Sequence, residues 1–114
     1  MIKVIDFINT EETNIVEFKS LDELFLICLE GIVNTVDEDY NEWIIYYLKN
    51  PDEVANLPIA KKISEVEATG YEILDDNHDA CIENNICQIC GNNSSKAYLT
   101  IVGNKKFSTC INCI

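Results

Sequence analysis

The chain has no arginine among its 114 residues. Arginine is the side chain that forks onto phosphate and reads guanine, so a usual tool of a nucleic-acid reader is missing. An AT-rich genome would account for that absence, but not for the acidity described below. There is one histidine, His78, so the residue that most often moves protons in catalysis is nearly absent. No G-x-S-x-G, phosphate-binding loop or H-E-x-x-H run occurs. Paired carboxylates abound, but in a chain this acidic their pairing carries no information. No apolar run approaches the ~20 residues of a membrane span, and the longest, around Leu24 to Leu29, is far too short. The opening Met1-Ile-Lys-Val-Ile-Asp6 lacks the apolar region of a secretory signal. The expectation is therefore a non-enzyme in a reduced, cytoplasmic setting.

Acidity is what the chain has in excess. Twenty acidic residues face eight lysines, for a net charge of −12. All twenty precede Cys87, where only five lysines accompany them, so residues 1–86 carry −15. The remainder holds Lys96, Lys105 and Lys106 and no acid, giving +3. A body at −15 repels phosphate and disfavours direct nucleic-acid binding by the whole chain.

Four of the six cysteines fall in the last stretch, as Cys87-Gln-Ile-Cys90 and Cys110-Ile-Asn-Cys113. The pattern is C-x2-C-x19-C-x2-C, the spacing of a four-thiolate zinc site. Zinc takes four soft ligands in a tetrahedron, and each short loop supplies two. Between the pairs, Lys96 to Val102 is β-branched and aromatic, Gly103-Asn104 suits a two-residue turn, and Lys105 to Thr109 runs back. A hairpin there brings the two pairs together. Disulfides and a thioredoxin-like redox pair are the competing readings. The paired spacing argues against the first, and the lack of a strand-to-helix pattern around Cys87 against the second.

The stretch Cys87 to Ile114 resembles a zinc ribbon. The resemblance implies one zinc ion held by Cys87, Cys90, Cys110 and Cys113 at one end of a small antiparallel sheet. It also implies that Gly91 is the small residue after the first knuckle, letting backbone N–H groups turn toward sulfur. The second knuckle departs from the family pattern, with Ile114 in the place of such a glycine. Cys-Gln-Ile-Cys-Gly also resembles the opening of the His-Asn-His endonucleases. That family needs histidines between the pairs, and Gly91 to Thr109 has none. A closed four-cysteine site has no open position for substrate and reads as structural.

Upstream, Ile2 to Ile8 reads as a strand, Asn9 to Thr13 as a polar turn, and Asn14 to Phe18 as a second strand antiparallel to the first. A helix over 14–18 is the alternative. Ser20-Leu-Asp-Glu23 is a capping box opening a helix to about Val36. Its stripe is Leu21, Leu24, Phe25, Cys28, Leu29, Ile32 and Val36, with Cys28 as a core residue. Gly31 either weakens this helix or marks close packing. Asp37-Glu-Asp39 starts a helix over Glu38 to Lys49, where Tyr40, Trp43, Ile44, Tyr47 and Leu48 share one side. Its aromatics read as core packing or as a docking surface. Pro51 opens the next helix, Pro58 breaks it, and another runs to Thr69 with Ile59, Ile63 and Val66 inward. Gly70 is a stop. Tyr71 to Leu74 is a short strand or an extended connection, Asp75 to Asp79 a linker, and Ala80 to Asn85 one helical turn. Cys81 reads as a buried apolar residue and His78 as solvated; the alternatives are a second metal site at His78 and Cys81, or Cys81 in place of a ribbon cysteine.

The expected fold is α+β: a mainly helical acidic body with an N-terminal β-hairpin (residues 1–80), then a zinc-ribbon hairpin (residues 81–114). The expected role is an acidic regulator or inhibitor docking on the basic, nucleic-acid-binding surface of a partner protein. Small acidic proteins of phages and mobile elements act in this way against defence nucleases. Asp37, Glu38, Asp39, Glu42, Trp43, Tyr46, Asp75 and Asp76 are the candidate contact residues. The alternatives are an adaptor in a nucleic-acid or transcription assembly, working through Lys96, Lys105 and Lys106, and a plain scaffold subunit.

Overall fold

The computed structural model describes residues 1–7 and 14–113. The expected turn Asn9 to Thr13, the strand end at Ile8, and Ile114 lie outside the described residues. The fold is α+β, with three antiparallel strands in one sheet, four α-helices, and a separate two-stranded hairpin among the described residues. β1 (Ile2–Asp6) pairs antiparallel with β2 (Asn14–Phe18), Val4 facing Val16. β3 (Tyr71–Leu74) adds to the other side of β1, with Val4 opposite Ile73. The short stretch at 71–74 is thus a strand, and β1 is central. Alternation along β1 sends Ile2 and Val4 fully into the core.

α1 (Leu21–Ile32) begins as its capping box demands. The Glu23 N–H donates to Ser20 Oγ at 3.1 Å, and Glu23 Oε2 accepts the Lys19 N–H at 3.0 Å. Leu21, Leu24, Phe25, Cys28 and Leu29 are buried at three- and four-residue steps. The helix stops at Ile32 rather than near Val36, which is fully exposed. Asn34, with a φ of 71°, takes the left-handed conformation that ends the run. A Cβ on Gly31 would meet nothing within 4 Å, so that glycine does not mark close packing.

α2 (Glu38–Lys49) spans the expected range, with Asp37 Oδ1 accepting the Tyr40 N–H at 3.1 Å. A 3-10 helix over Pro51–Asn56 follows, then α3 (Ile59–Ala68). Gly70 has a φ of 113°, as a helix stop requires. Lys62 of α3 is buried with Ile63 and Val66; its Nζ donates to Asp22 Oδ1 at 2.6 Å and to the Val54 carbonyl at 3.2 Å. That pair ties α3 to α1 and to the 3-10 helix.

α4 (His78–Glu83) leads to the cysteines, and the hairpin of β4 (Tyr98–Val102) and β5 (Lys105–Thr109) lies between the pairs. Val102 faces Lys105 across the Gly103-Asn104 turn, and Gly103 has a φ of 63°. The buried core runs from Ile2 and Val4 through α1 and α3 to Ile89, Phe107 and Cys110.

Candidate metal centre

Two knuckles bring four sulfurs together. The first, Cys87 to Cys90, is a tight turn closed by the Gly91 N–H donating to the Cys87 carbonyl at 2.9 Å. The second is a 3-10 turn, Ile111–Cys113, in which the Cys113 N–H donates to the Cys110 carbonyl at 3.0 Å. The β4–β5 hairpin returns the chain between them. The four Sγ atoms all lie within 4.8 Å of one another. Cys90 to Cys110 is 3.7 Å and Cys110 to Cys113 is 3.6 Å between sulfurs. A tetrahedron with metal–sulfur bonds of about 2.3 Å has sulfur–sulfur edges of about 3.8 Å. The cluster therefore has the dimensions to hold a metal ion such as zinc, and is compatible with a zinc-ribbon-like site. All six cysteines are free thiols.

The surroundings treat the sulfurs unequally. Burial raises the Cys87 thiol, but N–H groups of Cys90, Cys110 and Ile89 aimed at it prevail, and its pKa falls below 9.0. The Cys90 N–H lies 3.4 Å from that sulfur. Cys90 is pushed up to about 11 by burial, the Asn92 N–H opposing, and by its thiol neighbours Cys87 and Cys110. Burial, then the charge of Cys87, raises Cys113 as well. Charge on Cys87 opposes ionisation of Cys90 and Cys113, whereas a dication at the centre would favour the thiolate form of all four.

The first knuckle is stitched to four other parts of the chain. Gln88 is fully buried. Its Nε2 donates to the Met1 carbonyl and to Asn77 Oδ1, both at 2.9 Å, and its Oε1 accepts the Ser108 N–H at 2.9 Å. The Leu21 and Asp22 N–H groups of α1 donate to the Gln88 and Ile89 carbonyls at 2.8 and 3.0 Å. Gly91, with a φ of 80°, packs where a Cβ would meet Ser20 Cβ at 3.1 Å and the Lys19 carbonyl at 3.3 Å. Nothing in the local sequence marks Gln88 for this role. Lys62 had a signal, since it lies one step along the same helical stripe as Ile59 and Val66.

The other candidates fall in two places. Asp37, Glu38, Asp39, Glu42 and Tyr46 are exposed in and around α2. Trp43 is half-buried, stacked on Tyr40 at 5.8 Å, set edge-on to Phe25 at 6.0 Å, and capped by Lys61 Nζ at 5.2 Å. Asp75 and Asp76 follow β3, and Asp75 Oδ2 accepts the Lys106 N–H at 3.1 Å, beside β5 and not α2. Cys28 is buried and accepts the Thr69 hydroxyl at 3.2 Å. Cys81 is buried with its sulfur 3.8 Å from the Met1 amine. The His78 ring is half-buried, with Nδ1 2.6 Å from the Asp75 carbonyl and Nε2 3.1 Å from Asp79. Lys105 Nζ donates to the Ile73 carbonyl at 2.6 Å, while Lys96 and Lys106 are exposed. No helix among the described residues is long and apolar enough to cross a membrane.

The chain matches no protein-family model, and comparison with curated proteins and with solved structures gives no significant match.

Proposed function

We propose that the four cysteines hold one zinc ion for architecture, and that the acidic body acts as a protein-interaction surface for a basic partner. All-thiolate donors at these separations suit zinc, and a closed tetrahedron offers no position for substrate. The protein is then a non-enzymatic binding module, at home in a reducing compartment such as the cytoplasm. The observation that carries the reading is the segregation of charge. Every acidic residue precedes Cys87, and Glu38, Asp39 and Glu42 stand exposed on one helix beside the half-buried Trp43 and the exposed Tyr46. Acidic groups around aromatic anchors suit a basic, nucleic-acid-binding face of another protein, with charge steering encounter and the rings supplying contact area. An inhibitor that occupies such a face, as phage counter-defence proteins do, is the most specific form of this proposal.

An adaptor role through Lys96, Lys105 and Lys106 has less support, because Lys105 is drawn onto the Ile73 carbonyl. The test is capture of partners from a cell lysate with the native chain and with a Glu38→Lys, Asp39→Lys, Glu42→Lys variant. A basic partner held at low salt by the native chain and lost by the variant is the expected result. Equal capture by both, or a direct DNA gel shift by the native chain at low salt, refutes the reading.

A further inference from the structure

The ring of Trp43 already carries a cation. Lys61 Nζ of α3 lies 5.2 Å from the ring centroid and donates to Glu65 Oε1 at 3.0 Å. The other oxygen of that carboxylate, Oε2, accepts the Tyr40 hydroxyl. Tyr40 in turn stacks on Trp43, with centroids 5.8 Å apart and ring planes 14° apart. Two rings on α2 and one carboxylate on α3 thus form a fixed seat for a positive charge. The ring faces are electron-rich, and the carboxylate supplies the counter-charge. The Glu65 side chain is only 13% exposed, so water alone is a poor substitute for that cation.

Lys61 is a loose occupant of this seat. Its side chain is 48% exposed. It reaches Glu65 as an i,i+4 pair with the lysine on the N-terminal side, the weaker order, and such half-exposed pairs contribute little. An ammonium is compact and strongly hydrated. A guanidinium is flat and more weakly hydrated, stacks on aromatic faces and forks onto carboxylates. The chain has no arginine of its own to put there.

We propose that Trp43, Tyr40 and Glu65 are the seat for an arginine side chain of a protein partner, and that Lys61 is its displaceable placeholder. This rests on the basic-partner reading above and narrows it to one side chain. Asp39 and Glu42, the chain neighbours of Tyr40 and Trp43, are exposed on α2 and draw a cationic partner toward the rings. Swinging Lys61 into water frees the Trp43 ring and Glu65 Oε1 together, while the Tyr40 hydroxyl keeps Oε2 in place. The incoming guanidinium stacks on the ring and donates to the vacated oxygen.

Trp43 is the only tryptophan, so its fluorescence reports on the seat directly. The test titrates the full chain with hexa-arginine and with hexa-lysine peptides at low and physiological salt, with zinc content and circular dichroism as checks on the fold. Hexa-arginine is expected to bind about fivefold or more tighter than hexa-lysine, and to shift Trp43 emission where hexa-lysine does not. Lys61→Ala and Lys49→Ala each remove one exposed positive charge. Only Lys61→Ala should tighten hexa-arginine, by about threefold or more, because only it empties the seat. Trp43→Leu, followed by calorimetry, should bring the two peptides to within about twofold of each other. Lys61 lies on the surface, so its comparison with Lys49 decides the matter even where Trp43→Leu fails to fold. Equal gains from the two lysine variants overturn the proposal, because charge alone then explains them. Equal affinities of the two peptides with unmoved Trp43 emission also overturn it. The basic-partner reading survives that result if the Glu38→Lys, Asp39→Lys, Glu42→Lys variant loses both peptides, so the two readings fail separately.

Discussion

The Leu21 N–H donates to the Gln88 carbonyl at 2.8 Å, so the first turn of α1 rests on the first cysteine knuckle. A helix start leaves four N–H groups without intrahelical partners. Here Leu21 and Asp22 find theirs in the knuckle, and Glu23 finds its own in Ser20 Oγ. The proposed metal site therefore supports the helix that buries Leu21, Leu24, Phe25, Cys28 and Leu29 in the core.

Removing the metal should be felt well outside the cysteines. Elemental analysis is expected to give one zinc per chain. Chelation, or Cys113→Ser, should speed hydrogen exchange at the Leu21 and Asp22 amides and lower the melting temperature by more than about 10 °C, as loss of several kcal/mol would. A metal-free protein with unchanged exchange at both amides would contradict the zinc assignment.

Three glycines separate conformational cost from steric cost. Gly91→Ala meets both a φ of 80° and a Cβ 3.1 Å from Ser20 Cβ, and should cost about 2–3 kcal/mol. Gly103→Ala keeps the left-handed φ of 63° but has open space, and should cost about 1–2 kcal/mol. Gly31→Ala lies in an exposed part of α1 with nothing nearby and should stabilise by about 0.5–1 kcal/mol. Urea unfolding of the three variants checks the order and the change of sign.

The buried Lys62 makes one ion pair and one carbonyl contact. Lys62→Ala leaves Asp22 and the Val54 carbonyl without that partner. With Asp22 partly exposed, the cost should be about 2–3 kcal/mol, below the range for a fully buried pair. Lys62→Met combined with Asp22→Leu should cost less than Lys62→Ala, because no charge is left behind. A double-mutant cycle measured by denaturation tests this.

Tyr40 hydrogen-bonds Glu65 across the α2–α3 interface. Burial, then the Glu65 bond and charge, pushes its pKa up to about 12. A raised folded value means that its contribution to stability is complete below the unfolded tyrosine pKa of about 10. That contribution is lost as pH rises through about 12. Burial raises Tyr71 as well, so absorbance titration at alkaline pH should show a late-ionising component that shrinks by one tyrosine in Tyr40→Phe and titrates earlier in Glu65→Gln.

Elements whose causes are local could be read from the residues alone. The Ser20 box, the Asp37 cap, Pro51, Gly70 and the Gly103-Asn104 turn each act within a few positions, so α1, α2, α3 and the second hairpin begin or end close to where they were expected. The cysteine spacing likewise foretold which four sulfurs would gather, because a hairpin of that length must return its ends. Its failure was also local: the stripe continued to Val36, but Asn34 turned the backbone and ended α1 early.

What the linear chain left open depends on partners distant in sequence. β3 took the free side of β1 across helices it could not specify. Lys62 became a buried cation because Asp22, forty positions away, met it. Gln88 became the hub of the first knuckle because Met1, Asn77 and Ser108 converged on it. Hydrogen bonds and ion pairs carry no signature in the residues between them, so only the packed structure decides which polar groups come inside.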